Sequence, residues 1–253
     1  MRDPVKWTPT KFVIDATGSL APSTRSADLS VTSRLGAAFV ADFYTSMLPA
    51  YASGLLLDLG CGNQPLFAAY KRYASTVVAM DWPQSAHASP HLDAYCDLTA
   101  QLPIADKVVD TVLLSDVLEH LPEPELLFSE VARVLRPGGR LILNTPFMYQ
   151  IHEAPHDYLR HTTYSLRRHT EKCGLVLTEL VELGGAGDVL LDVLCKITAR
   201  VPVIGRVAAR LIQDLAVRTR NTRFATGIRA RTTSMPMGYG LVAVKPPVPP
   251  RGA

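Results

Sequence analysis

A chain of 253 residues with 47% apolar and 19% charged residues has the size and composition of one folded domain with a full core, and a net charge of +3 is too small over that length to single out nucleic acid as a partner. Cys61, Cys96, Cys173 and Cys195 lie far apart with no C-x-x-C pair, which suits reduced thiols and excludes a disulfide framework or a zinc knuckle. The first residues, MRDPVKWTPTKFVIDATG, lack the apolar stretch of a secretory leader, and no apolar run reaches the roughly 18 residues of a membrane span, so a cytoplasmic protein is expected.

Residues 1 to about 30, rich in Pro, Ser and Thr, read as an irregular arm, followed by a helix over 30–48 with Leu35, Phe39 and Phe43 at helical spacing. Strand and helix then alternate. GLLLDLG (54–60) is a short apolar strand, PLFAAYKRYA a helix, TVVAMD (76–81) a second strand and DAYCDL a short third. VVDTVLLSD (108–116) is a fourth strand, PELLFSEVARVL (124–135) a helix stopped by RPGG, and RLILNTP (140–146) a fifth strand. SLRRHTEKCG is a helix closed by Gly174, LVLTELVELG a sixth strand and YGLVAVK (239–245) a late seventh. Alternation with near-continuous apolar strands predicts a parallel, doubly wound α/β sheet of Rossmann-like type, with ligands bound outside the carboxyl ends of its strands. Three of the first four strands end in a carboxylate there: Asp58, Asp81 and Asp116.

LLLDLGCGNQP carries most of the functional information. Two glycines two apart permit a tight turn and close approach of a ligand. A dinucleotide fold would continue with a third glycine, where this chain has Pro65, and Asp58 before the turn would repel a pyrophosphate; an NAD-dependent oxidoreductase is therefore disfavoured. A cationic ligand fits Asp58 instead, and Asp81, about 20 residues on, suits ribose hydroxyls. An adenosine with a positively charged far end satisfies both, and S-adenosylmethionine is that molecule.

At this point LLLDLGCGNQP, VVAMD, YCDLTAQLPIADKVVDTVLLSDVLEHL and EVARVLRPGGRLILNTP resemble, in order, the consecutive motifs of class I S-adenosylmethionine-dependent methyltransferases, over roughly residues 54–185 and the last strand. The resemblance implies that Asp58, Gly60, Cys61 and Gly62 hold the methionine end of the cofactor. It implies that Asp81 takes the ribose hydroxyls, that Trp82 packs on the adenine and that Asp97 and Leu98 meet its edge. Ser115 and Asp116 would sit beside the methyl group and its acceptor. A pattern similar to Asp116, Glu119 and His120 binds a divalent cation in ubiquinone-type O-methyltransferases. The plainer reading, in which Glu119 and His120 cap or pack the following turn, is preferred, and no metal is expected.

QIHEAPHDYLRHT (150–162) contains HExxH, the zinc-peptidase pattern, but Pro155 lies between His152 and His156 and breaks the helix that would bring both rings to one metal. The stretch follows the fifth strand as a loop over the cofactor end. Methyl transfer needs a positioned acceptor and, for a hydroxyl, a base of near-neutral pKa, so His152 or His156 is the candidate base, with Asp116, and Tyr158, Arg160 and Tyr164 are candidate acceptor contacts. The competing reading is that the histidines and an Asp157–Arg160 pair only pin the loop. The pattern also resembles a methyltransferase subgroup found with cell-envelope polysaccharide genes, which implies a small-molecule acceptor such as a sugar or glycolipid.

Between the sixth and seventh strands, DVLLDVLCKITARV and VIGRVAARLIQDLAVRTR are amphipathic, the second with Ile204, Val207, Ala208, Leu211 and Leu215 on one face and Arg206, Arg210 and Arg218 on the other. Nine basic residues face one acidic residue between Lys196 and Arg231. The expectation is a lid packed on the sheet with a solvated basic side; contact with a lipid-linked substrate at the inner face of a membrane, or a homodimer face, is the alternative. The division expected is 1–50 as arm and substrate cap, 51–186 as cofactor-binding core, 187–237 as helical insert, and 238–253 as last strand and Pro-rich tail. The activity expected is O-methylation of a sugar, glycolipid or other small molecule, with a non-catalytic S-adenosylmethionine-binding protein or an N-methyltransferase of a natural-product scaffold as alternatives.

Overall fold

The structure, a computed structural model, describes residues 8–85, 87, 91–232 and 234–247; the first seven residues of the expected arm and residues 248–253 of the expected Pro-rich tail lie outside the described residues. The arm is less irregular than its composition predicts. Strands β1 (Phe12–Ile14) and β2 (Leu20–Pro22) pair as an antiparallel hairpin. Its turn is held by Asp15, whose carboxylate accepts from the Thr17 and Ser19 amides. Helix α1 (Arg34–Tyr51) follows. Then come β3 (Leu55–Leu59), a single turn α2 (Phe67–Tyr70), β4 (Thr76–Asp81), β5 (Ala94–Tyr95), β6 (Val109–Ser115), α3 (Pro124–Val134), β7 (Leu135–Pro146), α4 (Thr163–Lys172) and β8 (Val176–Leu183). The chain closes through α5 (Ala186–Thr198), α6 (Gly205–Thr219), α7 (Arg223–Arg231) and β9 (Gly238–Val244).

Seven strands form one sheet in the order β5-β4-β3-β6-β7-β9-β8, parallel except where β9 runs antiparallel to both neighbours. The apolar runs of the central strands are buried on both faces because successive side chains point to opposite sides. Leu56, Leu113, Ile142 and Val242 pack with Phe39, Phe43, Tyr44 and Leu48 of α1 on one face. Their neighbours Leu57, Val112, Leu141 and Leu241 pack with Leu127, Phe128 and Val131 of α3 on the other. Gly240 of β9 is the point of closest approach to α1: a Cβ there would lie 2.4 Å from the Phe43 ring. The helix stop expected at Gly174 is present, with φ +75° at that residue.

The insert departs from expectation in two ways. It has a third helix, α7, started by Thr222, whose hydroxyl accepts from the Ala225 amide. More important, α6 packs by the opposite side from the one its apolar periodicity suggests. Gly205, Ala209, Gln213 and Ala216 are buried, and Val207, Leu211 and Leu215 face outward. Small residues let α6 lie close to its neighbours, and the Gln213 side chain accepts from the Leu35 amide and donates to the Thr32 carbonyl.

Candidate cofactor and acceptor site

The carboxyl ends of β3, β4, β6 and β7 open onto one cavity of about 1060 Å³. Sites for a single drug-sized ligand run from about 300 to 1,000 Å³, so this one has room for a nucleoside cofactor and a small acceptor together.

One end is built by the turn after β3 and by the chain just past β4 and β5. Gly60 and Gly62 hold φ of +65° and +49°, and a Cβ at Gly60 would stand 2.7 Å from Val117 Cγ2. The backbone therefore turns where a side chain could not follow, leaving Gly60, Cys61 and Gly62 on the wall. The Gly62 amide donates to Asp81 Oδ2 at 2.9 Å and the Trp82 amide to Oδ1 at 2.8 Å. A carboxylate accepts about four hydrogen bonds, so Asp81 keeps capacity for two hydroxyls while its orientation is fixed. Trp82, Asp97 and Leu98 complete this wall. Thr99 donates to Asp97 through its hydroxyl and its amide, and these bonds hold the Asp97 carboxyl below its ordinary range. Asp58 is placed differently from the expectation: it is buried under the turn, accepts from the Tyr70 hydroxyl at 2.7 Å and is not on the cavity wall.

The other end is polar. Ser115 and Asp116 stand at the tip of β6, with Asp116 at φ +53°, a backbone region costly for a residue with a side chain. Asn144 donates to Asp116 and accepts from the Tyr44 hydroxyl. From the arm, Lys11 Nζ reaches Asp116 Oδ2 at 2.8 Å; burial disfavours the ammonium, but Asp116 more than offsets this and raises its pKa. Nothing in the sequence marked Lys11, a lone lysine in a loop. Tyr149 was missed as well: its hydroxyl meets Ser33 Oγ at 3.1 Å and Lys196 Nζ lies 3.8 Å over its ring, tying the wall to the insert.

The loop after β7 separates its two histidines. His152 stands between carboxylates, Nδ1 3.3 Å from Asp157 and Nε2 3.7 Å from the fully buried Glu119. Glu119, together with Asp157 and Glu153, outweighs burial and raises the His152 pKa, while Arg160 and the His152 amide hold Asp157 far below the usual carboxylate range. His156 goes elsewhere: its ring lies edge-on to Trp82 at 5.1 Å and Nδ1 meets the Tyr158 hydroxyl at 3.2 Å. The HExxH histidines thus do not converge. The group that does converge is Glu119, His120 and His152, one ligand atom from each lying within 4.8 Å of the others. His120 Nδ1 bonds the His156 carbonyl and turns Nε2 toward Glu119, so this trio has the donor set for a divalent cation. Asp116, part of the pattern in the sequence, turns away to Lys11. Two expected acceptor contacts are corrected. Arg160 forms a bidentate pair with Asp157 and bonds the Gln150 and Leu159 carbonyls, and Tyr164 is 82% exposed on α4; neither is on the cavity wall. Tyr158 is. Of the insert expected over 187–237, Met237 is on the cavity wall, and among the described residues between Leu183 and Met237 none is, so α5, α6 and α7 stand behind the wall.

Residues 57–143 match the family model described as a methyltransferase domain. An uncharacterized methyltransferase of Mycobacterium sp. (strain JLS) is 37% identical over 114 residues, covering 43% of this chain and 45% of that one. An uncharacterized methyltransferase of Mycobacterium leprae (strain TN) is 34% identical over 115 residues, 42% of this chain and 43% of that one. The matches thus span less than half the length of these curated relatives. Among solved structures, a geranyl diphosphate C-methyltransferase from Streptomyces coelicolor A3(2), in complex with Mg2+, geranyl diphosphate and S-adenosyl-L-homocysteine, superposes with a TM-score of 0.55 at 16% identity over 96% of this chain and 94% of that one. The [4+2]-cyclase SpnF does so with a TM-score of 0.54 at 20% identity, over 85% and 83%. Residues 57–143 match a methyltransferase domain, and the sheet they belong to has the fold that class I S-adenosylmethionine-dependent methyltransferases share.

Proposed function

We propose that this protein transfers the methyl group of S-adenosylmethionine to a hydroxyl of a small molecule, a sugar or glycolipid being the class that suits the site best. The observation that carries the proposal is the continuity of one cavity between a nucleoside-type end (Gly60, Gly62, Asp81, Trp82, Asp97) and a chamber lined with hydroxyl, carboxylate and imidazole groups (Ser115, Asp116, Tyr149, His152, His156). A chamber of that lining pairs with the several hydroxyls of a sugar and leaves few apolar contacts for a bare hydrocarbon.

Bound S-adenosylmethionine supplies an electrophilic methyl carbon on a sulfonium. The residues hold the acceptor oxygen in line with it, and the new O–C bond forms as the C–S bond breaks. The acceptor proton passes to a base. His152, held between two carboxylates that favour its charged form, serves as a positioning residue. His156 is the better base, since its Nε2 has no partner among the described residues. Asp116, turned into the chamber beside Lys11, orients the acceptor.

The test uses methyl-labelled S-adenosylmethionine, purified protein and an extract of its host, partitioned between water and organic solvent, with the labelled mass identified. Label on an oxygen of a sugar or glycolipid is expected; label on carbon or nitrogen, or none with the cofactor bound, overturns the reading. With the acceptor in hand, His156→Gln is expected to lower kcat by about 100-fold or more, the range for loss of a general base. Near-normal turnover in both His152→Gln and His156→Gln would remove the histidines from the mechanism.

A further inference from the structure

Helices α5 and α6 are built inside out. On α5 the buried side holds Asp188, Val189, Asp192 and Cys195, and the solvent side holds Leu190, Val193, Leu194 and Ile197. On α6 the buried side holds Gly205, Ala209 and Gln213, while Val207, Leu211 and Leu215 are 63%, 66% and 63% exposed. The orientation is locked. Asp188 accepts from the Gly185 amide and from Arg229, Asp192 pairs with Lys196, and the Gln213 side chain bonds backbone on either side. Rotating α5 would break the Asp188–Arg229 pair, and rotating α6 would break the Gln213 bonds to Leu35 and Thr32, so the outward apolar stripe is a built surface. A contiguous apolar patch of this kind on a folded protein marks an interaction site.

We propose that this face docks on the surface of an anionic lipid bilayer. The charge around it selects that partner. Arg200, Arg206, Arg210, Arg218, Arg223 and Arg231 are exposed along the insert that carries the stripe, and the sole acidic residue between Lys196 and Arg231 is Asp214. Asp214 is itself paired with Arg34. A second copy of the chain would bring the same arginines face to face across a two-fold axis and repel. An acidic bilayer offers an apolar interior to the leucines and a negative surface to the guanidinium groups at once. No helix among the described residues is long and apolar enough to cross a membrane, so the contact is interfacial. Lys196, on the side of α5 turned away from the leucines, lies over Tyr149 of the cavity wall, so the helix that carries the outer stripe abuts the site. A membrane-bound acceptor would thus be presented near the polar chamber, a corollary that rests on the proposed methyl transfer; the docking itself does not.

Flotation with vesicles of phosphatidylcholine, with and without about one third phosphatidylglycerol, tests the docking by a readout independent of catalysis. Binding to the acidic vesicles at low salt is expected, weakened at least tenfold by 0.5 M salt. Leu211→Asp with Leu215→Asp should abolish it. Arg206→Gln with Arg210→Gln should weaken it, and neither pair should change the melting temperature, since all four side chains are exposed. Failure to float with acidic vesicles at low salt overturns the proposal. So does a dimer in size-exclusion chromatography that the Leu→Asp pair converts to monomer, which would make the stripe a seam between two copies.

Discussion

His161 is buried against His169, and burial first, then the neighbouring imidazole, pushes its pKa down to about 4. In the unfolded chain it takes up its proton near 6.5. Between those two values the unfolded state binds more protons, so stability falls as pH drops from 6.5 toward 4, by at most about 3 kcal/mol from this residue. His169, also depressed by burial, adds to the same slope. Urea unfolding at pH 7.5 and pH 5 should therefore give a lower midpoint at pH 5, and His161→Gln should shrink the difference between the two pH values; an unchanged difference would assign the slope elsewhere. His152 shifts the opposite way because Glu119 faces it, and that contrast shows where sequence reading stops. His152, His156 and His161 are equivalent letters in one loop. What distinguishes them is a carboxylate from the turn after β6 and a tryptophan after β4, both distant in sequence, and a neighbour two turns along on α4. The positions of Asp81 and Asp116 on the cavity wall were legible because each closes a strand, and the fold itself carries strand ends to the site.

The turn after β3 is the element on which the proposed cofactor binding depends. Its glycines were legible as a motif, and the structure adds why alanine fails at the first of them. Gly60→Ala would put a side chain into a left-handed backbone and within 2.7 Å of Val117. Strain of this kind costs about 1 to 3 kcal/mol, so the variant should lose that much in urea denaturation and bind S-adenosylhomocysteine at least tenfold more weakly by calorimetry. At Gly240 the constraint is packing alone. Gly240→Ala pushes a methyl group into the Phe43 ring between β9 and α1, far from the cavity wall residues of the β3 turn. It should cost about 1 to 3 kcal/mol in stability, with cofactor affinity unchanged. Elements with a strong period were readable from the chain: β3, β4, β6, β9, α1 and α3 fall where their apolar residues place them, whereas β5 is two exposed residues and β7 begins at Leu135 and takes in the RPGG expected as a helix stop. The insert was readable only in part. Period identifies the apolar face of α6 but not which face meets the protein, and here Gly205, Ala209 and Gln213 outcompete the leucines because small residues permit close approach and a buried amide gains two backbone partners. The third insert helix, with Gly227 in its middle and arginines at both ends, has no apolar stripe to announce it.

At the scale of the whole molecule the fold alone leaves the chemistry open, since a [4+2]-cyclase shares it. The ligand set must come from the site, and it makes a prediction in which two nucleotides compete. Both S-adenosylhomocysteine and NAD carry an adenosine that could meet Asp81, Trp82 and Asp97. They differ beyond the ribose, where NAD carries a pyrophosphate and S-adenosylhomocysteine an amino acid with an ammonium group. The buried Asp58 lies directly under the turn that would receive either one. A negative charge in a partly desolvated setting repels the first and attracts the second, which decides between them more sharply than the adenosine contacts can. A ligand that binds only the folded chain at 100 times its dissociation constant stabilises it by about 2.7 kcal/mol. At about 2 to 4 °C per kcal/mol for a chain near this size, S-adenosylhomocysteine should raise the melting temperature by roughly 5 to 10 °C, and NAD at the same concentration by none. Asp81→Asn should weaken the S-adenosylhomocysteine response, since a hydrogen bond from a ribose hydroxyl to a charged oxygen contributes about 1.5 to 3 kcal/mol, about 10- to 100-fold in affinity. Equal shifts from both nucleotides would mean that adenosine alone is recognised, and the charge beneath the glycine turn would then have no part in choosing the cofactor.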